Sequence, residues 1–183
     1  MTVRLTRIYT RTGDDGETHL GDGSRTSKGD PRLQAYADCD ETNSVLGLVL
    51  ALGSPTPRTA EIIRHVQNDL FDLGADLATP IGTQRKKTEL RMLPEQVQQL
   101  EEWCDEFNES LQTLTSFILP GGSPAGALLH QARTVSRRAE RSAWLGLDTG
   151  SSPSSPQISK PRPGDHSACT TSIRQVPLST RPP

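Results

Sequence analysis

The stretch DPRLQAYADCDETNSVLGLVLALG, from Asp30 to Gly53, decides the fold of this chain. It opens on Asp30-Pro31, an N-cap residue followed by proline at the first helical position, and it closes on a glycine. Between these ends the apolar residues recur at helical spacing: Leu33, Tyr36, Ala37, Val45, Leu46, Val49, Leu50 and Leu52. The pattern predicts one long helix with an extensive apolar surface.

Three more helices are predicted from the same kinds of signal. The second runs from Thr56-Pro57 to near Thr79-Pro80, the third runs from Pro94 to Leu111, and the fourth opens at Ser123-Pro124. No sustained alternation of apolar and polar residues indicates long strands. The sequence therefore predicts an all-α fold, an up-down helical bundle.

The bundle is predicted to occupy residues 30–148, between two segments of different composition. Residues 1–29 are glycine-rich and irregular after a possible short strand at Val3 to Tyr9. Residues 149–183 form a tail whose last 33 positions hold eight serines and seven prolines. Because such a composition buries too little apolar surface to offset the entropy of ordering, we expect the tail to be disordered.

Composition narrows the class of function. The net charge of −2 argues against nucleic-acid binding by the surface as a whole. The three cysteines show no CxxC pairing and the four histidines show no ligand spacing, so we predict no metal site held by the protein alone. No apolar run is long enough for a membrane span and no signal peptide is evident, so we expect a cytoplasmic protein without membrane contact.

The N-terminal run TRTGDDGETHLGDGSRTSK, from Thr10 to Lys28, carries the materials of a phosphate-binding loop. Its glycines allow backbone N–H groups to turn toward an anion, its threonines offer hydroxyl donors, and Lys28 adds a positive charge. Asp14 and Asp15 can orient the loop or help to hold a divalent cation. An ordinary surface turn is the alternative, since Asp-Asp-Gly is a common turn sequence.

The fourth predicted helix presents a second anion-binding pattern, ARTVSRRAER from Ala132 to Arg141. Spacing places Arg133, Arg137, Glu140, Arg141 and Trp144 on one helical face. Arginine favours planar, bidentate phosphate contacts, and a glutamate among arginines can hold them in place. The alternative is a solvated charged face with weak internal ion pairs.

Two further features have open interpretations. Asp38, Asp40 and Glu41 lie among apolar residues of the first helix, where a carboxylate either pairs with an arginine or faces water. Phe117 belongs to the apolar turn FILPGG, where core packing is the commoner role and a place in an active site is the alternative.

Four blocks of sequence resemble the PduO-type ATP:cob(I)alamin adenosyltransferase family, in that family's order and spacing. They are IYTRTGDDG, SRTSKGDPRLQAYADCDETNSVLG, QNDLFDLGADLATP and FILPGGSPAGALLHQARTVSRRAERSAW, and together they cover about Thr6 to Trp144. The resemblance implies a five-helix bundle that assembles as a homotrimer with active sites between subunits. It implies transfer of the 5′-deoxyadenosyl group of ATP, bound with Mg²⁺, to the co-substrate cob(I)alamin, with release of triphosphate.

The resemblance also assigns roles to individual residues. The implied nucleotide-binding set is Thr10, Arg11, Thr12, Gly13, Thr18 and Lys28 from the N-terminal segment, with Arg137, Arg138, Glu140 and Arg141 from the fourth helix. The implied catalytic set is Arg133, Asp40, Phe117 and Arg137. Within it, Asp40 would pair with Arg133 across a subunit boundary, and Phe117 would close the lower face of the corrin.

The match ends after Trp144, where nothing resembles the family's fifth-helix motif. We therefore expect the disordered tail in the place of a fifth helix. Two alternatives to the enzyme follow from the residues: an ATP- or cobalamin-binding protein impaired in catalysis, as a carrier or pseudoenzyme, and a helical phosphate- or RNA-binding module using the arginine face. The acidic balance of the rest of the chain counts against RNA.

Overall fold

The computed structural model describes Tyr9, residues 11–81 and residues 90–148. Within these residues the chain forms four helices and one small hairpin. The strands are β1 (Glu17–His19) and β2 (Arg25–Ser27), paired antiparallel. The helices are α1 (Pro31–Leu52), α2 (Pro57–Leu77), α3 (Pro94–Asn108) and α4 (Pro124–Asp148). The predicted helical bundle is confirmed.

The predicted ends of the helices largely agree with the structure. Asp30 caps α1 by accepting a hydrogen bond from the backbone N–H of Arg32, and Thr56 caps α2 by accepting one from Thr59. α3 ends about one turn before the predicted Leu111. The hairpin was not predicted, because strands of three residues are too short to show alternation.

α1 is the central helix, with α2 and α4 packed antiparallel against it. The core cluster joins residues of these three helices: Val45, Leu46, Val49, Ile63, Ala132 and Val135. α3 lies outside α2, held by an ion pair from Arg58 to Glu106 at 2.6 Å and by an edge-on ring contact between His65 and Trp103. No residue of α3 is fully buried.

Glycines lie at both ends of the contact between α1 and α4, and the approach is tightest at Gly53. A Cβ built on Gly53, at the end of α1, would lie 2.9 Å from Cα of Ala125 in α4. At the other end, a Cβ on Gly146 would lie 3.6 Å from the carbonyl of Pro31. The two helices therefore run antiparallel along their whole length, and the C-terminal half of α4 lies beside the N-terminal half of α1.

The hairpin is docked on the C-terminus of α2 through a glycine. The backbone N–H of Gly21 donates to the carbonyl of Ala78 at 2.7 Å, and a Cβ on Gly21 would lie 2.4 Å from Oγ1 of Thr79. Arg32 donates to the carbonyl of Leu77 at 3.0 Å, so the start of α1 reaches the same helix end. Cationic donors at the last carbonyls of a helix also complement its dipole.

No helix among the described residues is long and apolar enough to cross a membrane. The possible strand at Val3 to Tyr9 and the tail from residue 149 fall almost wholly outside the described part of the chain.

We predict that Gly21→Ala undocks the hairpin from α2, because the added methyl group meets Thr79 and the carbonyl of Ala78. Overpacking of this kind costs about 1–3 kcal/mol in unfolding free energy. Chemical denaturation and limited proteolysis of the hairpin will measure the effect. Gly29→Ala is the matched control, since its Cβ would meet only Oγ of Ser27 at 3.6 Å; equal behaviour of the two variants would contradict the prediction.

Candidate functional site

The N-terminal loop and Lys28 meet in the structure as the sequence suggested. The backbone N–H of Lys28 donates to the carbonyl of Gly16 at 2.8 Å, and a Cβ on Gly13 would lie 3.2 Å from Nζ of Lys28. The close contact is favoured by the glycine at position 13, whose missing side chain leaves room for the ammonium group and for the carbonyl of Glu17. The loop therefore places a positive charge beside a glycine-containing turn, a combination that suits an anion.

The other candidate residues of the loop differ in exposure and contacts. Arg11 adopts a φ of 58°, uncommon for a residue with a side chain, and its guanidinium lies 5.7 Å from the ring centre of Tyr9. Thr12 is exposed, and Thr18 lies half-buried in β1. Thr10 falls outside the described residues.

The arginine face of α4 is exposed, as its spacing predicted. Arg137, Glu140 and Arg141 face solvent, whereas Val135 and Ala139 of the same helix are buried. Arg141 donates to the backbone carbonyl of Arg137 at 3.0 Å, which draws its guanidinium back along the helix. Two arginines and one glutamate form this exposed row, which therefore carries a net positive charge.

Arg133 is half-buried on α4, and its Nε is buried without a hydrogen-bond partner among the described residues. Asp40, its expected partner, is exposed on α1, and no ion pair joins the two within the described part of the chain. A buried guanidinium donor left unpaired costs about 1–3 kcal/mol, so Arg133 needs an acceptor beyond the described residues.

Arg138 points away from the other arginines. Its Nη2 donates to Glu41 and its Nε donates to Oδ1 of Asp38 at 3.3 Å, so the guanidinium bridges two carboxylates of α1. The expectation that a carboxylate in the first helix pairs with an arginine is thus met by Asp38 and Glu41, while Asp40 faces solvent.

Asp38 is the most buried charged group at this contact, with 3% of its surface exposed. Ser142 donates to its Oδ2 at 2.5 Å and Gln34 donates to its Oδ1 at 2.9 Å. Burial by itself raises the pKa of the Asp38 carboxyl, but these hydrogen bonds and the charge of Arg138 outweigh it and hold the pKa below its ordinary value. The neighbouring thiol of Cys39 has its pKa raised to about 11, chiefly by burial, and therefore stays protonated near neutral pH.

Ser142 and Gln34 were not predicted from the sequence. Both donate to Asp38: Gln34 lies one helical turn before Asp38 on α1, and Ser142 lies one turn after Arg138, which donates to the same carboxylate from α4. That spacing was visible in the sequence. The sequence alone did not show that α1 packs against α4.

Phe117 lies in the turn that leads into α4, and its side chain is fully exposed. Leu119, two residues later, is 91% exposed. Core packing, the commoner role for such a residue, is thus excluded within the described chain. An exposed phenylalanine beside an exposed leucine offers an apolar surface to a ligand or to another subunit.

Both candidate segments come to one end of the bundle. The hairpin and its loop precede Pro31 directly, and Pro31 lies against Gly146 of α4. Arg141 precedes Gly146 by little more than one turn. Two segments far apart in the sequence, each suited to phosphate, therefore lie toward the same end of the bundle, because α4 packs antiparallel on α1.

Several known proteins are similar to this chain in sequence. The family model described as cobalamin adenosyltransferase matches residues 8–160. The corrinoid adenosyltransferase of Mycobacterium tuberculosis is 59% identical over 148 residues, which cover 81% of this chain and 77% of the relative. The human corrinoid adenosyltransferase is 39% identical over 145 residues, which cover 76% of this chain and 57% of the relative.

Solved structures are also similar. A phenylalanine-to-histidine variant of the PduO-type ATP:corrinoid adenosyltransferase from Lactobacillus reuteri, complexed with cobalamin and ATP, aligns with a TM-score of 0.71 and 36% identity. The alignment covers 76% of this chain and 75% of that one. An arginine-to-lysine variant of the same enzyme, complexed with ATP, aligns with a TM-score of 0.69 and 38% identity over 76% of this chain and 77% of that one.

We predict that stability falls as pH drops below about 5, in part through Asp38. A carboxyl whose folded pKa lies below its ordinary value of 3.8 contributes stability above that value and loses it as pH falls through the folded pKa. Asp38→Asn should therefore be less stable at neutral pH and should show a smaller decline between about pH 5 and pH 3.

Thermal unfolding measured across this pH range will test the prediction. Ser142→Ala removes one donor to the carboxylate and should give an intermediate decline. A decline in Asp38→Asn as large as in the unchanged protein would contradict the assignment.

Proposed function

The chain belongs to the cobalamin adenosyltransferase family, and we propose that it transfers the 5′-deoxyadenosyl group of ATP to cob(I)alamin, giving adenosylcobalamin and triphosphate. The observation that carries the proposal is that the Lys28 loop and the arginine face of α4 both lie toward one end of the bundle. Neither segment alone would distinguish a polyphosphate site from a charged surface.

The proposed nucleotide-binding residues come from both segments, with Glu140 holding the arginines in place and the other residues facing the phosphates. The N-terminal group is Thr10, Arg11, Thr12, Gly13, Thr18 and Lys28, and the helical group is Arg137, Glu140 and Arg141, with Arg138 joined to it by resemblance alone. Mg²⁺ would enter with ATP and share its charge with the phosphates. Asp14 and Asp15 are exposed in the loop and can orient that ion or its waters.

The proposed chemistry needs little from the protein as an acid or base. The nucleophile is cob(I)alamin itself: a cobalt–carbon bond forms at C5′ of the ribose while the bond from C5′ to the phosphate oxygen breaks. Triphosphate leaves with the bonding pair. The tasks left to the protein are alignment of the two substrates and stabilisation of the departing charge. Arg137, Arg141 and Lys28 supply fixed positive charge for the second task.

On the corrin side, Phe117 is proposed to lie against the lower face of the ring. Its full exposure means that its apolar surface is available to a ligand. An apolar wall there would leave no donor on the lower side of the cobalt. Axial ligation is a strong influence on metal reduction potential, so removal of the lower ligand would favour reduction to cob(I)alamin.

We further propose a homotrimer whose sites lie between subunits. Two observations support this arrangement: Arg133 is half-buried with an Nε that has no partner among the described residues, and Asp40 is exposed, so an Asp40 on a second copy would pair with the exposed part of the Arg133 guanidinium. Exposed leucines at Leu48 and Leu52, one turn apart on α1, also offer apolar surface for burial. A cytoplasmic location completes the proposal and agrees with the reduced, buried thiol of Cys39.

One alternative within the same family is a binding protein impaired in catalysis. It is favoured by the residues after Trp144, which lack the family's fifth-helix motif. Such a protein would bind MgATP and corrinoid without turnover. An activity assay separates it from the enzyme.

We predict that the purified chain consumes cob(I)alamin in an anaerobic assay with MgATP. Arg137→Ala should lower kcat/KM for ATP about 100-fold or more, because a fixed donor to developing charge contributes about 2.7–4 kcal/mol to the transition state. Loss of cob(I)alamin absorbance and formation of adenosylcobalamin are the measurements.

Arg64→Ala is the matched control, because Arg64 is exposed on α2 away from both segments. Binding of MgATP without turnover would favour the impaired binding protein instead. Equal activity of Arg137→Ala and Arg64→Ala would remove Arg137 from the site.

A charge exchange tests the subunit contact. Asp40→Arg and Arg133→Asp should each weaken the trimer, since each places like charges at the proposed contact, and the double variant should restore it. Sedimentation velocity at several protein concentrations will measure the assembly. Additive losses in the double variant would argue against a direct pair.

A further inference from the structure

Four side chains on α1 and α4 form a polar contact that we call the clamp: Asp38 and Glu41 from α1, Arg138 and Ser142 from α4. Arg138 reaches both carboxylates, and Ser142 reaches the second oxygen of Asp38. Gln34 completes the acceptor positions of Asp38 from its own helix. None of these contacts belongs to the apolar core.

The position of the clamp residues around the axis of α4 affects where the arginine face points. At about 100° per residue, Arg138 and Ser142 fall on a single edge of the helix. Ala139 and Val135, which are buried, lie on one side of that edge, and the exposed Arg137 and Arg141 lie on the other. A contact at this edge fixes the rotation of α4, and so it fixes where the arginine face points.

The apolar core determines that rotation weakly near the clamp. Leu128 and Leu129 pack against the core from the first turns of α4, whereas the fully buried residues that follow them are Ala132, Val135 and Ala139, two of them alanines. Small side chains fill little space and interdigitate little, so they permit a helix to roll with a small loss of packing. Asp38, by contrast, is buried and tolerates few other positions for its donors, because an unsatisfied buried carboxylate is costly.

We propose that the clamp positions the arginine face of α4 for the triphosphate of ATP, and that Arg138 acts in the clamp instead of contacting phosphate. Asp38, Glu41, Arg138 and Ser142 are then positioning residues. The inference rests on the proposed function, since it presumes that MgATP binds at that face. It also revises the role that resemblance gives to Arg138.

Ser142→Ala is the first test, because it deletes one donor to Asp38 and leaves Gln34 and Arg138 in place. We expect KM for MgATP to rise about threefold to tenfold, with KM for cob(I)alamin unchanged. Ser142→Thr keeps the hydroxyl and should restore the value. Ser136→Ala, on the same helix, is the matched control and should change neither constant.

A merely structural role would give a different result. A lower melting temperature with both KM values unchanged, or a loss that Ser142→Thr does not rescue, would overturn the proposal. Direct calorimetric titration with MgATP separates this failure from that of the proposed function. If the unchanged protein binds no MgATP, both proposals fall; if it binds and Ser142→Ala binds equally, only the clamp falls.

Glu41→Gln distinguishes the two possible roles of Arg138, because they predict different changes in the affinity for MgATP. Glu41 is exposed, so the variant should fold. If Arg138 acts in the clamp, loss of its partner should weaken MgATP binding about threefold. If Arg138 contacts phosphate, its release from Glu41 should leave binding unchanged or tighten it, and that result would overturn the assignment.

Discussion

The antiparallel contact between α1 and α4 is the constraint on which the rest of this structure depends. The two backbones approach most closely where Gly53 lies beside Ala125, and the contact extends to Gly146 beside Pro31. Between those ends lie the apolar core and the carboxylate of Asp38. The same contact carries the arginine face of α4 to the end of the bundle where the N-terminal loop begins.

The charged residues at this contact fall into two groups, one buried and one exposed. Asp38 is buried and surrounded by donors, so it specifies one arrangement of the helices. Arg137 and Arg141 are exposed and form no ion pair with the described residues, so their charge is available to an anion. The hydrogen bond from Arg141 to the carbonyl of Arg137 holds one of these guanidinium groups along the helix.

The described bundle leaves apolar surface uncovered away from α1. α2 has one fully buried residue, Ile63, and α3 has none. Phe117 stands fully exposed at the entrance to α4. Each of these surfaces is compatible with the proposed assembly, in which ligand and neighbouring subunits would cover what a single chain leaves open.

The sequence by itself determined the helices and the residue types of the site. Asp30-Pro31, Thr56-Pro57 and Gly53 mark helix ends because capping and proline geometry are local properties. The exposed face of Arg137 and Arg141 also followed from helical spacing alone. Only the tertiary structure decided that Asp38 is buried while Asp40 faces solvent, and that Arg138 turns toward α1. Those outcomes depend on which helix packs against which, and the contacts that settle them join residues far apart in the chain, where no local pattern reaches.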